Sequence, residues 1–199
     1  MAHGPGNTSF QRHEKRQPKS VKPLTILFLC TGNTCRSPLA ESLARRRSLT
    51  DNLKFLSAGL YAAPGQPASA GSLAAATEHG LSLADHRSQL VNDDMLVGVD
   101  WVIGMTRSHL ALFKQRFRDY PGKVGLMSEP GIDFTDRTEI NSEEVNDPFG
   151  GSAEEYRAMA SQLDRFLQAW LPVLFREHSG RYQGHGSDPD SELAEREEL

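Results

Sequence analysis

Between residues 24 and 38 the chain runs from a short apolar stretch, Leu24–Cys30, through Thr31, Gly32, Asn33, Thr34 and Cys35 to Arg36, Ser37 and Pro38. That order admits few folds. A short apolar run containing Ile26 and Phe28 predicts a buried strand. Pro38 suits the first turn of a helix, where a missing amide proton costs nothing, and Ser37 is placed to cap it, so a helix is predicted over 38–48. A strand that turns directly into a helix opens a βα unit, and the rest of the chain continues in kind. Residues 53–58 predict a second strand. Residues 68–79 predict an Ala-rich helix closed by Gly80 in a left-handed conformation. A third strand is expected over 100–105, a helix over 106–117 and a weaker fourth strand over 123–127. Ser152 and Glu155 form the Ser-x-x-Glu pattern of a capping box. The helix they open carries Leu163, Phe166, Leu167, Trp170, Leu171 and Leu174 at helical spacing, and Pro172 is expected to kink or shorten its end. Such alternation predicts an α/β fold, a three-layer sandwich with a central four-stranded parallel sheet flanked by helices.

The two ends read differently. Residues 1–23 are rich in Gly, Pro, Gln, Lys and Arg and poor in apolar residues, which predicts a disordered basic arm. Residues 176–199 are polar and finish with Glu195, Glu197 and Glu198, which predicts a disordered acidic tail. The folded domain is then 24–175, and a chain of 199 residues with 38% hydrophobic residues has room for one. A net charge of −4 argues against a dedicated nucleic-acid binder. Leu24–Cys30 is far too short to cross a bilayer, which takes ~20 apolar residues, and no secretory signal is visible. A cytoplasmic protein without a membrane partner is expected. The two cysteines, Cys30 and Cys35, are too close together for a disulfide scaffold and point to local reactivity. No clustered His, Asp and Glu spacing calls for a metal.

In parallel sheets ligands bind outside the carboxyl ends of the strands, and Cys30 falls at such an end. Gly32 is expected to let the backbone turn with its amides inward. Those amides and the following helix N-terminus would form a concave anion site lined by Thr31, Gly32, Asn33, Thr34 and Cys35. Arg36 can swing over the cavity, where its planar fork matches two phosphate oxygens. A cysteine at the base of such a positive field favours the nucleophilic thiolate. Ser37 can donate a hydrogen bond to that thiolate, and Asn33 can hold the loop backbone. The loop contains no lysine and no Gly-Lys-[Ser/Thr] ending, so it is a poor ATPase loop. Taken without its context, Cys-x5-Arg also reads as a phosphate-binding turn with two structural cysteines.

The string from Cys30 to Pro38 resembles the signature loop of the low-molecular-weight protein-tyrosine phosphatases. The resemblance extends through Ser57-Ala58-Gly59 to Asp147-Pro148-Phe149-Gly150-Gly151 and covers most of residues 24–175. It implies a cofactor-free, two-step hydrolysis of a phosphorylated protein or peptide. Cys30 would attack phosphorus and become phosphocysteine, while Arg36 and the loop amides hold the equatorial oxygens. Asp147 would protonate the leaving group and then activate water. Ser57 and His86 would support the loop. Thr34, with Asp-Pro-Phe-Gly-Gly, resembles the bacterial protein-arginine phosphatase branch and favours phosphoarginine, with Phe149 as an apolar wall of the cleft. Phosphotyrosine remains the alternative. Cys35 either forms a reversible disulfide with Cys30, which would require a redox reductant as partner, or is a passive small residue. The stretch 128–151 reads as a long functional loop. Arg45, Arg46 and Arg47 read as a solvated helix face, and His109 has no assigned role. A thioredoxin-coupled arsenate reductase would need further cysteines, and none follows Cys35. A non-catalytic phosphate-binding module would predict loss of Cys30, Arg36 or Asp147, and all three are present.

Overall fold

Leu24–Cys30 forms the first strand, β1, and its alternation decides the layering. In the computed structural model, which describes residues 22–48, 52–129 and 143–183, Ile26, Phe28 and Cys30 enter one apolar cluster while Leu27 and Leu29 enter another. A strand whose successive side chains point to opposite faces, and are all buried, must lie inside a sheet covered on both sides. The order of elements is β1, α1 (Arg36–Arg47), β2 (Leu53–Gly59), α2 (Ala70–Glu78), α3 (Asp93–Leu96), β3 (Trp101–Gly104), α4 (Arg107–Arg116), β4 (Lys123–Leu126) and α5 (Ala153–Gln183). The four strands are all parallel, in the order β2-β1-β3-β4. The first cluster packs α1, α2 and α5 against Phe28 and Phe55, and the second packs α3 and α4 against Leu27 and Val102. The expected three-layer α/β sandwich is present.

From β1 the chain crosses to β2 on one side and later to β3 on the other. The crevice between the carboxyl ends of β1 and β3 is therefore the topological switch point, where open parallel sheets bind ligands. The loop after β1 and the loop after β3 form its two lips.

Several element boundaries depart from the sequence reading for local reasons. The first helix begins at Arg36, with Cys35 at the N-cap and no side-chain cap. Ser37 is therefore inside the helix rather than capping it, and is fully buried. Gly32 is not the left-handed residue of the loop; Asn33 is, at φ 54°. The side chain of Asn33 supplies the local hydrogen bonds that make this conformation tolerable for a residue with a Cβ. Ser69 caps α2, and Gly80 follows its end at φ 67°, as expected. The capping box holds: Ser152 N–H donates to Glu155 Oε2 at 2.6 Å and Glu155 N–H to Ser152 Oγ at 3.3 Å. Pro172 does not end α5, which continues past residue 175 to Gln183. The expected tail boundary at 176 is thus too early by part of a helix. Residues 1–21 of the expected basic arm (1–23), residues 184–199 of the expected tail (176–199) and residues 130–142 of the long loop lie outside the described residues.

Candidate active site

Cys30 ends β1 and is almost fully buried. Its sulfur lies 3.0 Å from Ser37 Oγ and accepts the Asn33 N–H at 3.3 Å. Helix α1 starts just beyond, with no acidic residue in its first turn, so its free amides and positive dipole end face the loop uncompensated. The Ser37 hydroxyl has one proton and two calls on it, Cys30 Sγ and the Ala58 carbonyl at 3.2 Å. A thiolate only accepts, so it draws that proton; a thiol, which can itself donate, leaves it to Ala58.

Asn33 is the knot of the loop. Its Nδ2 donates to Ser37 Oγ at 2.9 Å and to Ser57 Oγ at 3.0 Å, and its Oδ1 accepts the Gln89 N–H at 2.8 Å. Its own carbonyl accepts from His86 Nε2 at 2.7 Å. Ser57 and His86, the two support residues expected from the sequence, thus meet on one residue, Ser57 on its side chain and His86 on its backbone carbonyl. Gly59 closes the back: a Cβ there would lie 2.6 Å from the Thr31 carbonyl oxygen and 2.9 Å from the Asn33 nitrogen. By contrast, Gly32 has room, since a Cβ would approach only Thr34 Oγ1, at 3.7 Å. The Thr34 carbonyl accepts the Ser69 N–H at 2.9 Å.

The Arg36 side chain is 5% exposed and Asp147 50% exposed, and Arg36 Nη2 donates to Asp147 Oδ2 at 2.6 Å. The contact crosses from the β1 loop to the loop before α5. Arg36 Nε is buried with no hydrogen-bond partner among the described residues. A buried donor on a cation normally has an acceptor, and an oxyanion held by this loop would supply one. The stem of the Asp147 loop is fastened by Gln162 of α5, which donates to Glu143 Oε1 and the Glu144 carbonyl and accepts the Asn146 N–H. Val145 N–H is bonded to the Met105 carbonyl. Phe149, expected as an apolar wall of the cleft, follows Asp147 by two residues and is 76% exposed.

Four residues without an expected role join this site. His109 bridges two hydroxyls, Thr31 Oγ1 at 2.9 Å from Nε2 and Thr106 Oγ1 at 2.8 Å from Nδ1. Burial and, secondarily, the Arg36 charge push it down to about 4, against the opposing pull of Asp147 and Glu144. Tyr156 and Ser69 contact the free thiol of Cys35, at 3.7 Å and 3.3 Å. Gln162 is the fourth. A signal for His109 existed: it stands three residues after Thr106, the spacing at which a threonine caps a helix, directly after a strand of the switch point. No cluster able to hold a metal occurs among the described residues.

Attack by the Cys30 sulfur on a tetrahedral oxyanion centre, with Arg36 across from it and a carboxylate within reach, is the chemistry these groups can perform together. On a parallel sheet that opens with this loop, they define a cysteine-dependent phosphatase. Residues 25–180 match the low molecular weight phosphotyrosine protein phosphatase family, and the chain belongs to it. It is 34% identical to a protein-arginine-phosphatase of Geobacillus stearothermophilus over 78% of this chain and 99% of that one. It is 32% identical to a probable low molecular weight protein-tyrosine-phosphatase, AmsI, of Erwinia amylovora, over 76% of this chain and 98% of the other. The solved structure of the YwlE arginine phosphatase from Geobacillus stearothermophilus superposes with a TM-score of 0.68 at 30% identity, covering 83% of this chain and 100% of that one.

Proposed function

We propose that the protein hydrolyses phosphoarginine side chains of proteins through a phosphocysteine intermediate. The observation that carries the mechanism is the buried Arg36 guanidinium, whose Nε has no partner among the described residues while its Nη2 holds Asp147. A phosphoryl group entering the loop would be bound by the loop amides and Arg36, and would compete with the carboxylate for that guanidinium. Asp147 is then free to protonate the departing nitrogen as the Cys30–phosphorus bond forms and the phosphorus–nitrogen bond breaks. In the second step Asp147 takes a proton from water as the water oxygen attacks phosphorus. The Cys30 sulfur leaves as thiolate, met by the Ser37 proton. Arg36 and the amides stabilise the equatorial oxygens in both steps.

Support for phosphoarginine comes from Thr34 in the loop and from the likeness to proteins named for that activity. The exposed ring of Phe149 favours the second reading, phosphotyrosine, because it offers a face on which an aryl group can stack. Among the described residues no helix is long and apolar enough to cross a membrane. Steady-state kinetics on matched phosphoarginine and phosphotyrosine peptides under reducing conditions test the proposal. Wild type is expected to prefer phosphoarginine in kcat/KM, and Cys30→Ser to be inactive on both. A phosphotyrosine preference would overturn the substrate, and an active Cys30→Ser would overturn the mechanism.

A further inference from the structure

We propose that His109 is a positioning residue of the phosphate site, anchoring the Thr31 hydroxyl and through it the Arg36 guanidinium. The proposal rests on the phosphatase reading above.

Thr31 follows the nucleophile directly and is an exposed residue at the mouth of the loop. An exposed threonine on a loop ordinarily samples several rotamers. Here its hydroxyl is tied to the imidazole of His109, a residue with only 6% of its surface exposed, at 2.9 Å. The same oxygen lies 3.5 Å from Arg36 Nη2, the atom that holds Asp147. Arg36 can only donate, so Thr31 Oγ1 can only accept from it. Thr31 therefore meets the clamp with a lone pair, and the imidazole fixes where that lone pair points. The imidazole is itself fixed from behind. Thr106 Oγ1 lies 2.8 Å from Nδ1 and accepts the His109 backbone N–H at 3.3 Å, so the residue that caps α4 also holds the ring, which cannot turn without losing that contact.

The two lips of the switch point, after β1 and after β3, are thus joined by a single side chain. A merely space-filling residue would not need two ring nitrogens in contact with two hydroxyls. The charged groups that face the ring are Arg36, Asp147 and Glu144. A neutral imidazole suits this position, because it adds no second cation beside the guanidinium and keeps one ring nitrogen able to accept.

Binding of orthovanadate, measured by calorimetry on the full chain, reads the phosphate site without turnover. Thr31→Val, which removes the hydroxyl at an exposed position, is expected to weaken binding by about tenfold, the factor that one hydrogen bond of ordinary net strength represents. His109→Leu is expected to do the same. The double variant should be no worse than the weaker-binding single one, because both remove the same link. His109→Gln, which keeps polar atoms near the position of Nε2, should recover most of the affinity. In turnover, both Thr31→Val and His109→Leu should raise KM more than they lower kcat. Wild-type affinity in Thr31→Val, or losses that multiply in the double variant, would overturn the proposal. If His109→Leu does not fold, Thr31→Val alone still decides it. A wild-type protein that neither binds vanadate nor turns over phosphopeptides would overturn the phosphatase reading and this proposal together. Tight vanadate binding with an unaffected Thr31→Val would overturn only this one.

Discussion

Asp147 divides its carboxylate between two partners: Oδ2 lies on Arg36 Nη2 and Oδ1 accepts the Phe149 N–H at 3.2 Å. The first contact makes the proposed acid a rival of the anion it serves, since both claim one guanidinium. Asp147→Asn separates these roles. It is expected to lower kcat by about 10²–10⁴-fold, the range for loss of a general acid. It should leave the inhibition constant for inorganic phosphate unchanged or tighter, because a neutral amide competes less well for Arg36. Weaker phosphate inhibition in this variant would count against the competition. At this scale the sequence pointed to Cys30, Arg36, Ser37 and Asp147 because the proposed reaction restricts residue type at each, and the fold puts Cys30 beside Ser37 and Arg36 beside Asp147. The sequence carried no sign that Asn33 takes the left-handed position of the loop, where five hydrogen bonds hold it. His109 was passed over because a lone histidine carries no pattern until the fold brings Thr31 to it.

Strand β2 ends against the loop it helps to shape. A methyl group at Gly59 would strike backbone atoms of Thr31 and Asn33, which no rotamer change can relieve. Gly59→Ala is therefore expected to cost about 1–3 kcal/mol of stability, the range for forced overpacking. Its activity should fall further than the lost stability explains, since the displaced backbone is the anion cradle. Urea denaturation and kcat/KM on the same preparation check this; full activity with lowered stability would show that the loop accommodates the methyl. Most elements were legible from apolar runs and caps, because strands buried on both faces leave continuous hydrophobic stretches. The one-turn α3 was not, since four residues with a cap at Asn92 give too little periodicity. Helix α5 outran its predicted end because its apolar face, through Leu174, is packed against the sheet; that packing outweighs one proline.

Across the whole molecule, acid should act in two stages. The folded His109 binds its proton only near pH 4, against an ordinary value of 6.5. Between those values the unfolded chain takes up more protons than the folded one, so stability falls as the pH drops from about 6.5 to about 4 and then levels off for this group. Asp164 and Glu143 are held below the usual carboxylate range, first by hydrogen bonds from Arg47 and from Arg165, respectively. Their contribution is present above the ordinary carboxylate value and is lost at still lower pH, as they protonate in the folded state. Unfolding free energies measured from pH 7 to 4 should decline in wild type and decline less in His109→Gln; identical slopes would sink the assignment. The α/β class was readable from strand–helix alternation alone, whereas strand order, and so the switch point, came only with the structure. That arrangement also bears on how the protein is made. The loop around Cys30 is held by Ser57, His86, Gln89 and His109, which the ribosome delivers at widely separated times. A nascent or partly collapsed chain has none of these ties in place, so its cysteine sits in a shapeless turn. Competence would arrive late, with the most distant contacts, and recovery of activity after dilution from denaturant would report the final closure of the chain rather than its first secondary structure.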